Sequence, residues 1–176
     1  MDAAERATFA YQHRRLDAQL RAHLLDVVGG ELASALQRLQ RWRAALARHI
    51  DTEQSWLLPH IPPGARWDAR LYRVEHERIL LLADEYLQRL RVAAAHPPRG
   101  RRAQHALVLE LLDAAHALRH LLEHHHEREE MALAHELPAA LQQQAWGARR
   151  RSGAPPVVAS PPAAEPAIEP APAGEA

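Results

Sequence analysis

The chain has 176 residues, with 13 histidines, 13 prolines and no cysteine, lysine or asparagine. Arginine supplies all 22 positive charges and Asp plus Glu supply 22 negative ones, a balance that argues against a nucleic-acid footprint or a basic membrane-surface protein. Without Cys there are no disulfides, Cys-ligated zinc, iron–sulfur clusters or thiol catalysis.

No apolar run approaches the ~18 residues of a membrane span. The opening MDAAERATFAYQHRR lacks the apolar stretch of a secretory signal. The expectation is a soluble, cytoplasmic protein. Histidine is the outlier, as a common metal ligand and the side chain that titrates near neutrality.

Residues 1–146 are rich in Leu, Ala, Arg, Glu and Gln, which favour helix. Breakers at Gly29-Gly30, Pro59 to Gly64 and His96 to Gly100 divide them into four long pieces. Pro138 ends the fourth and opens a short amphipathic turn to Trp146. Four helices with short connections predict an all-α, antiparallel up-down-up-down four-helix bundle over 1–146. Residues 147–176 hold 7 of the 13 prolines and almost no large apolar residue, and are expected to form a disordered tail rooted at Arg149 to Arg151.

Each helix carries a stripe at alternating spacings of four and three. The first stripe is Phe9, His13, Leu16, Leu20, His23 and Val27. The second runs Leu32, Ala35, Leu39, Trp42, Leu46, His49, Glu53 and Trp56. The third is Tyr72, His76, Ile79, Ala83, Tyr86 and Leu90. The fourth runs Val108, Leu111, Ala115, Leu118, Leu122, His125, Glu129 and Ala132.

Polar residues interrupt every stripe. Counted from the Gly29/Pro97 end, His13, His49, His76 and His125 stand at heights of roughly 24, 28, 30 and 37 Å at ~1.5 Å per residue. The fourth joins the others if its helix starts a turn late. In His49-xxx-Glu53 and His125-xxx-Glu129, the i,i+4 spacing puts both side chains on one helix face.

A carboxylate buried on a seam requires a counter-charge or a metal. Imidazole and carboxylate without thiolate suit iron, manganese or zinc. The candidate metal ligands are therefore His13, His49, Glu53, His76, His125 and Glu129. Glu130 is the reserve if the fourth helix is rotated. His23 is expected to be a satisfied core histidine. His116, His120 and His124 form a row on a solvated face, and His126 flanks the seam. His60, His96 and His105 lie near breaks and are expected to be exposed.

These motifs resemble the hemerythrin-like HHE cation-binding family. Its members carry a His on helix 1, a His-xxx-Glu closed by an apolar-Pro step on helix 2, Glu-His on helix 3 and a second His-xxx-Glu on helix 4. Here these read His13, HIDTEQSWLLP from His49 to Pro59, Glu75-His76, and HHEREE from His125 to Glu130. HIDTEQSWLLP and HHEREEMALAH also form a weak internal repeat. The resemblance covers about residues 9–137.

It implies two non-haem iron ions, bridged by Glu53 and Glu129 with the four histidines terminal. Such centres bind dioxygen or a related small molecule, or sense iron or redox state. Oxygen-carrying hemerythrins have a His-xxx-His pair on helix 3, whereas Leu80 follows and Tyr72 precedes His76 by four residues here. That departure favours sensing or redox chemistry over oxygen storage, with Tyr72 one turn from His76 as a possible hydrogen-bond donor. The missing Cys counts against the family's iron-centre-repair variant. The alternatives are a catalytic di-metal oxidase or peroxidase, with Glu123 to His126 as its one Glu-xx-His spacing, and a metal-free helical interaction module.

Overall fold

A computed structural model describes residues 8–148. The described residues are helical, with no strand among them. The long helices are α1 (Phe9–Val28), α2 (Leu32–Thr52), α3 (Ala69–Ala95) and α4 (Arg101–Arg128). A short turn α5 (Ala134–Glu136) and α6 (Ala139–Ala148) follow. α1 packs on α2 and α4, and α3 packs on α2 and α4.

Helix limits follow local chemistry. Thr8 caps α1 by accepting from the Tyr11 N–H at 3.2 Å, and Asp68 caps α3 by accepting from Leu71 at 2.9 Å. The α1–α2 and α3–α4 turns pass through Gly30 at φ +77° and Gly100 at φ +91°, a region that a Cβ disfavours. Pro138 precedes α6, as the sequence implies, although α6 runs to Ala148 and so two residues past the expected boundary at 146. The rest of the expected tail, with Arg149 to Arg151, lies outside the described residues.

The stripes are buried as spaced, apart from half-buried Leu32 and Val108 near the starts of α2 and α4 and a shift at two π turns. Every α1 and α3 stripe residue is buried. On α2 and α4, a π turn begins at each motif glutamate, Glu53–Leu57 and Glu129–Leu133. The extra residue in a π turn advances the buried face. Trp56 is therefore only half-buried, while Leu57, Leu58 and Leu133 are buried. The two halves of the sequence repeat thus share a backbone irregularity at the same place.

α4 does not start a turn late. It begins directly after Gly100, yet His76 Nε2 and His125 Nε2 stand 3.1 Å apart. Side chains lean toward the N-terminus of their own helix. On α3 that lean carries His76 away from the connecting turn, and on α4 it carries His125 toward it. The lean closes the offset of roughly 7 Å that the Cα count leaves.

Two apolar clusters enclose the polar layer. The larger includes Leu16, Leu20, Leu39, Trp42, Leu46, Ile79, Tyr86, Leu118 and Leu122. The smaller joins Phe9, Leu57, Leu58, Tyr72, Leu133, Leu137, Ala145 and Trp146, and so caps the other end with both π turns and α6.

Candidate metal centre

The six candidate residues meet in that layer, and none is more than 3% exposed. His13 Nε2 lies 3.1 Å from Glu129 Oε2, and His49 Nε2 lies 2.8 Å from Glu53 Oε1. His76 Nε2 is 3.3 Å from Glu53 Oε2 and 3.7 Å from Glu129 Oε1. His125 Nε2 is 3.4 Å from Glu129 Oε2. Two four-residue groups emerge: His13, His49, Glu53 and Glu129, and Glu53, His76, His125 and Glu129. Their ligand atoms lie within 4.8 Å of one another, and both carboxylates belong to both groups.

Donors at ~2.1 Å from a common metal would be about 3.0 Å apart when adjacent and about 4.2 Å when opposite. Four of the contacts above fall in that range, and His49–Glu53 at 2.8 Å lies just below it. Close approach does not make them good hydrogen bonds. All four oxygens of Glu53 and Glu129, His13 Nε2 and both His49 nitrogens are buried without an aligned hydrogen-bond partner. Carboxylates buried without aligned hydrogen bonds require a compensating charge, from protonated imidazoles or a metal ion. These buried groups can hold a metal ion, and the donor set suits iron, manganese or zinc.

Outer residues orient the imidazoles. His13 Nδ1 donates to Glu130 at 2.8 Å. His125 Nδ1 donates to Glu75 at 3.0 Å, and Arg128 pairs with the same carboxylate. The Gln54 amide lies 3.3 Å from His76 Nδ1. Such contacts fix ring orientation and tautomer in metal sites. His49 is held differently, its ring stacked on Trp146 of α6 with centroids 5.1 Å apart.

Of the two α4 carboxylates, Glu129 and not Glu130 stands among the grouped donors. Glu129 is fully buried in the layer, and half-buried Glu130 serves the outer edge of His13. His23 is satisfied at both nitrogens, by the Ala35 carbonyl and the Tyr86 hydroxyl, each at 2.9 Å. His60, His96, His105, His116, His120 and His124 are exposed as expected.

His126 is the residue that the spacing argument missed. It is buried and stacks on His13 with centroids 3.9 Å apart. The available signal was its position four after Leu122, since a core-facing stripe is wide enough to include that flank. Glu123, the other half of the Glu-xx-His spacing, is exposed. Glu75 was visible only as part of a motif, because its role depends on a side chain from α4.

Without metal, the layer balances its charge with protons. Burial opposes protonation of His13, but the charge of the Glu129 carboxylate 3.1 Å from Nε2, with Glu53 and Glu130 behind it, raises its pKa to about 9. Burial likewise opposes protonation of His76, and Glu129 and Glu53 raise it to about 9. Burial and the Glu129 charge push Glu53 up, but His49 and His76 hold it below the ordinary value. Burial also pushes Glu129 up, and His125, His13 and His76 outweigh it.

The two raised histidines contribute stability that is complete below about pH 6.5 and lost as pH rises through about 9. The two depressed carboxylates contribute stability present above about pH 4.5 and lost as pH falls. Metal-free protein should therefore be most stable between these limits. Its melting temperature should drop by roughly 10 °C between pH 6.5 and 9.5. Metal affinity should rise over the same interval, because the ions displace those protons. A melting temperature flat across it, measured by circular dichroism with chelator present, would contradict the charge assignment.

No protein-family model, curated protein or solved structure matches this chain. The site must therefore be read from its own geometry. No helix among the described residues is long and apolar enough to cross a membrane.

Proposed function

We propose that this chain is a hemerythrin-like protein. It would hold two non-haem iron ions between Glu53 and Glu129 and bind or sense dioxygen, a related small molecule, or iron and redox state. One observation carries the reading: two buried four-ligand groups share the same two carboxylates, whose oxygens have no hydrogen-bond partner. The neighbour packing of α1 to α4 supports the antiparallel up-down-up-down bundle that belongs to this reading. Manganese and zinc fit the same donors.

Iron in such a site supplies redox-active positions at which a small molecule can bind. The chain supplies the rest. His13, His49, His76 and His125 present nitrogen donors, and the apolar clusters on either side exclude water. The Tyr72 hydroxyl is buried without a hydrogen-bond partner, and its ring is 6.4 Å from His125. Burial and the charge of Glu129 raise its pKa, so the hydroxyl stays protonated as a donor for a small ligand. A cavity of about 260 Å³ lies beside His49 and is lined also by Gln12, Arg15, Arg48 and Trp146.

The test is metal analysis with optical spectra. Protein loaded anaerobically with Fe(II) should retain two ions per chain, and its near-ultraviolet spectrum should change on exposure to dioxygen. A chain that stays metal-free under these conditions sinks the proposal. Sustained turnover of peroxide with a reductant would favour an oxidase or peroxidase instead.

A further inference from the structure

Three of the four seam imidazoles have their outer nitrogen met by another side chain. His13 Nδ1 faces Glu130, His125 Nδ1 faces Glu75, and His76 Nδ1 lies beside the Gln54 amide. Imidazoles that bind metal through one nitrogen almost always have the other held by a carboxylate, a carbonyl or water. His49 is the exception, because its Nδ1 is buried and has no hydrogen-bond partner.

His49 instead borders the cavity of about 260 Å³ that α1 and α2 line together with Trp146. The chemistry of this cavity is one-sided. Tyr11, Gln12, Arg15, Gln19 and Arg48 line it, and no Asp or Glu does. Arg15 on α1 and Arg48 on α2 are exposed and form no ion pair among the described residues. Two guanidinium ions bordering one cavity repel each other unless an anion lies between them. Trp146 Nε1 is a second buried donor without a partner.

We propose that this cavity binds a small carboxylate between Arg15 and Arg48, and that the carboxylate and a metal ion on His49 Nε2 strengthen each other's binding. The coupling rests on the metal-binding reading above. A carboxylate is the group that already serves the outer nitrogens of His13 and His125, and it matches the fork of an arginine. A metal on Nε2 leaves the imidazole proton on Nδ1, which makes the outer edge of His49 a donor. Trp146 lies flat on this ring, with the planes 11° apart, and both orphan nitrogens are closed to water. A carboxylate entering at the arginines gains those two donors as the indole slides along the stack. Whatever it adds to metal affinity, the metal adds to its own.

The test adds acetate and, separately, inorganic phosphate to the full chain, metal-free and loaded with Zn(II), followed by nitrogen-15 magnetic resonance. Acetate should saturably shift the Trp146 indole N–H and the Arg15 and Arg48 Nε–H signals. It should bind at least threefold more tightly once Zn(II) is in place. The double variant Arg15→Gln/Arg48→Gln should bind acetate at least tenfold more weakly and retain the same amount of Zn(II). The wild-type signals locate the site whether or not the variant folds.

Absence of saturable shifts at these three residues, or an unchanged acetate affinity in the folded double variant, overturns the site. Phosphate binding more tightly than acetate overturns the choice of carboxylate. Equal acetate affinity with and without Zn(II) overturns the coupling. Protein that retains no Zn(II) but still shows the acetate shifts overturns the metal centre and supports the carboxylate site.

Discussion

Saturating metal-free protein with Fe(II) under anaerobic conditions should raise its melting temperature by 10 °C or more. The metal-free layer buries two carboxylates whose oxygens lack aligned hydrogen bonds. Its only compensation is protons on neighbouring imidazoles. An ion that binds the folded chain alone, at a free concentration 100 times its dissociation constant, contributes about 2.7 kcal/mol per site. For a domain of this size each kcal/mol shifts the midpoint by roughly 2–4 °C. Two sites therefore predict an increase easily seen by calorimetry or circular dichroism. An unchanged midpoint would favour a metal-free helical module. The increase should grow from pH 6.5 toward 9, because the metal-free reference weakens while metal affinity strengthens.

Replacing a shared carboxylate should harm the centre far more than replacing a terminal imidazole. Glu53 and Glu129 each belong to both four-ligand groups, whereas His49 belongs to only one of them. Glu53→Gln or Glu129→Gln should therefore reduce retained metal from two ions toward none. His49→Ala should leave the His76/His125 position able to bind. His120→Ala, on an exposed face, should retain the full complement.

In metal-free protein, each Gln variant also removes the charge that keeps His13 and His76 protonated. Breaking a buried pair in this way costs on the order of 3–5 kcal/mol, less whatever is recovered when the imidazoles become neutral. Metal stoichiometry after gel filtration separates these cases. Equal losses in His49→Ala and Glu129→Gln would argue against carboxylates shared between two ions.

The sequence made the main pattern accessible because helical periodicity is a local property. The α1 and α3 stripes are buried residue for residue, and glycine and proline mark the breaks where the backbone turns. The i,i+4 spacing already paired His49 with Glu53 and His125 with Glu129 on single helix faces. Height counting brought four helices to one layer, though it invoked a late start to α4 that the fold does not use. Side-chain lean, opposite in sense on α3 and α4, closed that gap.

Other features depend on which residues face one another across helices. The π turns after Glu53 and Glu129 shift the buried phase, and no periodic count anticipates an inserted residue. Trp146 belongs to a helix beyond the four main ones, so its stacking on His49 follows from where α6 folds back. The carboxylates serving His13 and His125 come from α4 and α3 respectively. His126 flanks the Leu118/Leu122/His125 seam in sequence, and the neighbouring α1 surface is what buries it.

By itself, then, the sequence determined an all-helical chain with an imidazole-and-carboxylate layer on its seams, because spacing decides which side chains share a helix face. Only the tertiary structure decided that Glu129 lies inside and Glu130 at the rim, that Glu53 and Glu129 face both histidine pairs, and that His126 is buried against His13. Those outcomes depend on helix rotation and on apolar packing above and below the layer, which are properties of contacts between helices.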